Sequence, residues 1–310
     1  MSGRKYNFHS LTFWGTAAAI AAAVSYGLNP LFGKPLLENG VSVSTMLFFR
    51  YFISVVLMGG YMLFRRERFS MNLREASLLL LLGVLFACSS IFLFVSYDYV
   101  PSGLATTVIY LYPVFVALIM IILRVYPSWQ VLLSIGLTLA GVVLMSLPSG
   151  KIRFSFWGIV LASLSALSYA AYLVIINRSR MVARFSNSYI TFYALLIGAF
   201  MFAAKGICSD KPFLSGVDSP AAVLNLLGLA VFPTVISLAT ITYATRTIGP
   251  VKTAVLGVFE PITAILIGFF CFSEILSLRM LAGITVCAFA VIFMTVSEKG
   301  RASGSDPSGQ

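Results

Sequence analysis

Charge is what this 310-residue chain has least of: Asp, Glu, Lys and Arg together make up 10% of it, against 59% hydrophobic residues. A soluble domain carries ~25% charged residues. A chain this apolar cannot cover itself with a wetted surface, which excludes a soluble globular protein and makes lipid the solvent. Acidic residues number only 10 against 21 basic ones, for a net charge of +11. No Gly-rich phosphate loop and no basic–aromatic stripe accompanies that excess, so nucleic acid is not the expected partner. Histidine occurs once, as His9 near the start. The four cysteines are scattered: Cys88, Cys271 and Cys287 fall in apolar runs and Cys208 beside a loop, with no metal-ligand spacing. No metal, cofactor or disulfide is expected. Enzyme chemistry is not expected either, since the apolar runs hold no histidine, no paired aspartates, no Cys–His pair and no serine with an evident base. A nucleotide-binding domain is missing as well, which leaves gradients rather than ATP as the energy source.

What is there is a series of long apolar runs. A spanning helix needs ~20 mostly apolar residues, and ten runs qualify: roughly 12–33, 44–64, 75–97, 102–123, 128–147, 155–176, 187–205, 221–244, 249–271 and 276–296. The first is expected to be retained rather than cleaved, because it is long, lacks a clear cleavage site and continues into further runs. Most loops are short; the longest, 206–220, holds Asp210, Pro212, Gly216 and Pro220. The Gly/Ser-rich tail 300–310 is expected to be disordered. With the N-terminus cytoplasmic, the inner segments hold thirteen basic residues, including Arg65, Arg66, Arg68, Arg74, Arg178, Arg180 and Arg184. The outer loops hold six: Lys34, Lys151, Arg153, Lys205, Lys211 and Arg279. That asymmetry places both termini inside.

The chain also repeats itself. FWG at 13–15 recurs at 156–158, and Ser25-Tyr26 recurs as Ser168-Tyr169. Ser96-Tyr97 matches Thr242-Tyr243, and LATTVIYLYPVFVALI (104–119) matches KTAVLGVFEPITAILI (252–267), with Pro113 over Pro261. Gly136 lines up with Gly283. Five runs separate the copies. Five is odd, so the second copy enters the membrane from the opposite face, the inverted arrangement typical of secondary transporters. The expected fold is therefore an all-α integral membrane protein of ten transmembrane helices, built as two inverted five-helix repeats, 1–150 and 151–299.

Several stretches resemble the EamA-type members of the drug/metabolite transporter superfamily: SYGLNPLFGK (25–34), FFRY (48–51), YVPSGLATTVIYLYPVFVALI (99–119) and VKTAVLGVFEPITAILIGFFCFSEILSLRMLAGI (251–284). The resemblance covers residues ~10–297, nearly the whole chain. It implies a central cavity lined by the first, third, fourth, sixth, eighth and ninth helices, with the fifth and tenth peripheral, in a monomer or homodimer. It also implies movement of small metabolites by alternating access, most often amino acids, aromatic ones among them. The mostly short loops and lack of a targeting signal point to a bacterial inner membrane, with an organellar membrane as the alternative. Amines, quaternary ammonium compounds and nucleobases are the alternative solutes.

Glu260 is the sharpest candidate. It lies about a dozen residues into the ninth run, ~18 Å along a helix rising 1.5 Å per residue, near mid-membrane. Carboxylates at that depth are costly and face a cavity or a partner. Glu260 is placed to bind a cationic group, carry a coupling proton or brace the bend at Pro261. Arg50, two turns from the outer end of the second run, is read as either snorkelling to the interface or pairing near an outer gate. Glu274 is read as capping the tenth helix. Pro113 and Pro261, at matching positions, mark kinked helices that move. Ser25, Tyr26, Asn29, Tyr110, Tyr169, Ser237 and Tyr243 complete the expected substrate site, since tyrosine rings suit aromatic and ammonium ligands. Tyr97, Tyr112 and Tyr172, near run ends, read as interfacial.

Overall fold

The computed structural model describes residues 2–67, 69–100, 102–146, 155–207 and 216–304, with side chains described outside 2–10, 102–103, 146 and 296–304. Arg68, Lys151, Arg153, Lys211, Cys208 and the tail residues 305–310 lie outside the described residues. Every element among the described residues is helical. In order they are α1 (Ser2–Gly27), α2 (Asn29–Glu38), α3 (Val43–Phe64), α4 (Leu73–Ser96), α5 (Ser102–Ile109), α6 (Tyr112–Ile122), α7 (Trp129–Ser146), α8 (Phe156–Arg178), α9 (Asn187–Ile207), α10 (Pro220–Ala230), α11 (Ser237–Ile248), α12 (Pro250–Leu256), α13 (Phe259–Phe272) and α14 (Leu278–Gly304). A π-helical turn, Val231–Ile236, joins α10 to α11. The last helix thus continues past 299 to Gly304.

Among the described residues, nine spans are long and apolar enough to cross a membrane. Four are composite: α1 with α2, α5 with α6, α10 with α11, and α12 with α13. The fifth run of the sequence reading, Trp129–Met145, is apolar but shorter.

Helix ends follow local chemistry. Ser42 accepts the Thr45 N–H at 3.1 Å to start α3, and Ser219, followed by Pro220, accepts the Ala222 N–H at 3.1 Å to start α10. Asn72 and Glu75 form a capping box at α4. Helix α14 starts at Leu278, and its cap is Ser277, whose Oγ accepts the Met280 N–H at 3.2 Å. Glu274 is therefore not the cap it was expected to be. It sits in the turn after α13, where Ser273 adopts a left-handed conformation, and pairs with Lys34 of α2 at 3.0 Å. Lys34 also lies 4.3 Å from the centre of the Phe272 ring. Both charges are well exposed, at 38% and 59% of their side chains, so the pair is weak. Glu274→Gln should change unfolding free energy by less than ~1 kcal/mol, with the difference vanishing at high salt.

Packing respects the repeat. Helix α1 packs along α11, and its counterpart α8 packs along α4. Helix α1 also meets α13, as α8 meets α6. The exchange leaves two self-paired contacts, α3 with α9 and α7 with α14. In the latter pair Gly141 and Gly283 meet so closely that a Cβ on Gly283 would stand 2.6 Å from the Gly141 carbonyl. The two ends of the bundle are held differently. At one end Arg246 of α11 binds the Phe185 carbonyl and Asn187 Oδ1 at 2.9 and 2.6 Å, and Asn177 of α8 binds the Thr245 carbonyl at 2.9 Å. The exposed arginines 65, 66, 74, 124, 178, 180 and 184 belong to the same end. The far end carries Lys34, Glu274 and the start of α5.

Candidate functional site

Four helix interruptions converge on one region. Each places a proline where the α-helical ladder fails, because proline has no N–H to give the carbonyl four residues back. Pro30 leaves the Tyr26 carbonyl without its partner, and Asn29 Nδ2 donates to it instead at 2.7 Å. Pro233 leaves the Leu229 carbonyl free, and Thr234 Oγ1 donates to it at 2.7 Å. Pro261 withdraws from the Gly257 carbonyl, which the Glu260 N–H takes at 3.0 Å. Pro113 stands in the first turn of α6, right after the break at Tyr110–Leu111. The eighth span is widened into a π-turn by Pro233, whereas α4, its counterpart in the first half, runs unbroken through Cys88-Ser89-Ser90.

Arg50 joins two of these interruptions. It is 7% exposed, which overturns the snorkelling reading. Nε donates to Thr234 Oγ1 at 2.6 Å, Nη1 to Asn29 Oδ1 at 2.9 Å and Nη2 to the Pro233 carbonyl at 2.8 Å. The guanidinium also lies 5.4 Å from the centre of the Tyr26 ring. Ser54, one turn on, donates to the Arg50 carbonyl at 2.7 Å and to the Ala230 carbonyl at 3.1 Å. A three-pronged planar donor is the side chain that can hold three separate acceptors at once. No carboxylate lies within ion-pair distance of Arg50 among the described residues.

A cavity opens beside this network. The space and its mouth enclose about 840 Å³, of which about 80 Å³ can hold the centres of water molecules. One water needs ~10–15 Å³ by that measure, so several fit, enough for a small organic solute. The walls come from α1, α4, α5, α6, α8, the π-turn, α11, α12 and α13. Counted among the ten apolar runs of the sequence, these are the first, third, fourth, sixth, eighth and ninth, the set the family resemblance implied.

Of the expected substrate residues, Tyr26, Tyr110, Tyr169, Ser237 and Glu260 line the cavity. Ser237 does so with its hydroxyl bound to the Ala22 carbonyl at 2.9 Å, which ties α11 to α1. Asn29 stands behind the wall, between Tyr26 and Arg50. Ser25 is half-buried outside the lining, because Ala19, Ala22, Ala23 and Tyr26 form the cavity face of α1 and Ser25 lies a quarter-turn away. Tyr243 also lies outside the lining, past Ile241 toward the arginine end. Pro261 lies one residue beyond the lining residue Glu260, and Pro113 one residue beyond Tyr112. Arg50 stands behind Tyr26.

Glu260 is the one charged side chain in the lining. The Tyr110 hydroxyl interacts with its carboxyl group, and Tyr26, Tyr112 and Tyr169 complete the surroundings. Tyr112, expected at an interface, is 4% exposed. Its hydroxyl donates to the Ala254 carbonyl at 2.9 Å, and its ring meets Tyr169 edge-on at 5.1 Å. Gly257 makes this possible: a Cβ there would lie 1.7 Å from the Tyr112 oxygen. Tyr172, also expected at an interface, is fully buried beside Phe86. Gly27 matters similarly, since a Cβ on it would lie 2.6 Å from the Glu260 carbonyl oxygen, so the breaks of the first and ninth spans press together.

The arrangement resembles known proteins along nearly its whole length. An uncharacterized transporter of Archaeoglobus fulgidus is 26% identical over 270 residues, 87% of this chain and 92% of that protein. The uncharacterized inner membrane transporter YedA of Escherichia coli K12 is 24% identical over 199 residues, 64% of this chain and 63% of that protein. A crystal structure of a protein 17% identical in sequence superposes with a TM-score of 0.76, covering 91% of this chain and 97% of that one, and so shares the fold. The family model of the EamA-like transporters matches twice, over residues 13–147 and 156–296. The chain belongs to the EamA-like transporter family: it is a multi-pass membrane transporter and not an enzyme.

Proposed function

We propose that this protein is a secondary transporter that moves small amine-bearing metabolites by alternating access. The observation that carries the substrate class is Glu260, a lone carboxylate in a lining that holds four tyrosines and no cation. An ammonium group satisfies that carboxylate electrostatically, and tyrosine faces add ~0.5–2 kcal/mol of cation–π attraction where water is excluded. A nucleobase would instead need several fixed donors and acceptors, and the hydroxyl of Ser237 is already bound to backbone. Amino acids, the leading expectation from the family resemblance, remain within the amine-bearing class. Their carboxylate, however, would need a cation, and the three nitrogens of Arg50 are engaged with Thr234, Asn29 and Pro233 behind Tyr26. A monoamine asks for no such cation.

The topology that supports this reading has ten spans. Helix α7, slightly short, pairs with the spanning α14 along its length and serves as the tenth. Two repeats, 1–150 and 151–299, with five spans each are then inverted relative to one another. The arginine end faces the cytoplasm with both termini. The YedA resemblance supports the bacterial inner membrane.

The experiment is ligand-dependent thermal unfolding of purified protein. Aromatic and aliphatic monoamines should raise the melting temperature of the wild type and leave Glu260→Gln unmoved, because binding stabilises the folded state by mass action. Equal stabilisation by neutral analogues, or an undiminished effect in Glu260→Gln, would contradict the reading.

A further inference from the structure

The repeat and the closed side of the cavity together say how the open side shuts. In the alignment of 104–119 with 252–267, Tyr112 corresponds to Glu260, Thr106 to Ala254 and Ile109 to Gly257. At the arginine end the cavity is closed: α6 packs on α12, and the Tyr112 hydroxyl donates to the Ala254 carbonyl. At the far end α5 and α13, the corresponding half-helices, share no comparable packing; the lining reaches toward that end at Leu93 and Thr106, and the mouth is assigned there. Two halves related by a two-fold exchange reverse the state by trading arrangements. The traded tie places Glu260 against the main-chain carbonyl of Thr106.

A carbonyl oxygen accepts hydrogen bonds only. Tyrosine always has an O–H to donate to one, whereas a carboxylate has none until it is protonated. We infer that the mouth of the empty transporter closes only when Glu260 has taken up a proton, whose O–H then binds the Thr106 carbonyl. An ammonium group held by Glu260 brings its own N–H donors to the same carbonyl, so the loaded transporter closes without the proton. Exchange of one amine for one proton follows, and this last step rests on the amine reading above. Residue sizes are consistent with this exchange: Gly257 clears space for a long tyrosine, and the larger Ile109 in the matching place is paired with the shorter glutamate.

The other titratable and charged groups that face Glu260 come from the elements around the cavity. They are Tyr26 on α1, Arg50 on α3, Tyr97 beyond α4, Tyr110 and Tyr112 at the α5–α6 break, and Tyr169 on α8. On α2, Lys34 is held by Glu274 at the surface.

The test is the accessibility of the mouth without any substrate, which keeps it separate from the substrate reading. Leu93→Cys in a cysteine-free background, reconstituted in nanodiscs, is reacted with a membrane-impermeant maleimide. Its rate is divided by that of Asn39→Cys, an exposed position at the same end, which removes the intrinsic pH dependence of the thiol. The ratio should fall by roughly threefold or more between about pH 8.5 and about pH 4 as the closed population grows. Glu260→Gln, whose amide is a permanent donor, should give the low ratio at both values, and Glu260→Ala, with none, the high ratio at both. Tyr112→Phe, which removes the competing tie at the closed side, should lower the ratio further at the acid end and leave it high at about pH 8.5. A pH-independent ratio in the wild type, a Gln variant that behaves like Ala, or an unchanged acid-end ratio in Tyr112→Phe would each overturn the proposal.

Discussion

Replacing Arg50 by methionine should destabilise the protein by at least ~3 kcal/mol, the cost of stripping a buried multi-bonded charge from its partners. Three acceptors lose their donor at once: Thr234 Oγ1, Asn29 Oδ1 and the Pro233 carbonyl. Each belongs to a segment where proline has already broken the helical ladder. Asn29 and Thr234 are themselves the substitutes that satisfy the Tyr26 and Leu229 carbonyls. Loosening them exposes those carbonyls in turn, in surroundings with no water to replace the bonds. Lysine should rescue little, since one compact ammonium cannot reach three acceptors spread along two helices. Denaturant unfolding of the two variants measures the effect; wild-type stability in Arg50→Met would refute the clamp.

Gly257→Ala should cost about 2–3 kcal/mol, the range for overpacking a core and losing one hydrogen bond. The new methyl would occupy the place of the Tyr112 oxygen, at 1.7 Å, and drive the ring off both Ala254 and Tyr169. The sharper expectation is a rescue. Tyr112→Phe removes the clashing oxygen, after which the nearest ring atom would be Cζ at 3.1 Å, a contact that a shift of a few tenths of an ångström relieves. The double variant should therefore be more stable than Gly257→Ala alone. Strict additivity of the two changes in a double-mutant cycle would show that Tyr112 and Gly257 do not meet.

The sequence carried the features set by long-range regularity. Two copies of one pattern, FWG to Pro113 and FWG to Pro261, were visible because a repeat compares the chain with itself. The depth of Glu260 and the kinks at Pro113 and Pro261 were visible because helical rise and proline chemistry are local. What escaped was anything decided by which neighbour a helix face meets. Arg50 and Lys34 both lie near run ends, and both read as able to reach water; the fold buries the first among three acceptors and leaves the second exposed with Glu274. Tyr172 looked interfacial because the run 155–176 ends near it, and Tyr112 was read likewise although the run 102–123 has it at the centre; α6 and α8 continue past both inside the bundle. Ser25 and Tyr243 were included by residue type; one helical step of rotation removes Ser25 from the wall, and Tyr243 lies two residues past the last lining residue of α11, Ile241. The Thr234 and Ser54 hydroxyls, which mend the π-turn, carried no sequence signal beyond their proximity to Pro233 and Arg50.

The measurement that tests the central claim most directly is counterflow in proteoliposomes. Vesicles are preloaded with a monoamine, its parent amino acid or a neutral isostere, and entry of labelled monoamine is followed for the wild type and Glu260→Gln. A carrier whose cavity recognises the ammonium group through Glu260 predicts rapid exchange driven by internal monoamine, weaker exchange with the amino acid and none with the neutral compound. The Gln variant, folded and reconstituted to the same level, should exchange none of them. Exchange driven equally by the neutral isostere, or full exchange by Glu260→Gln, would contradict the account.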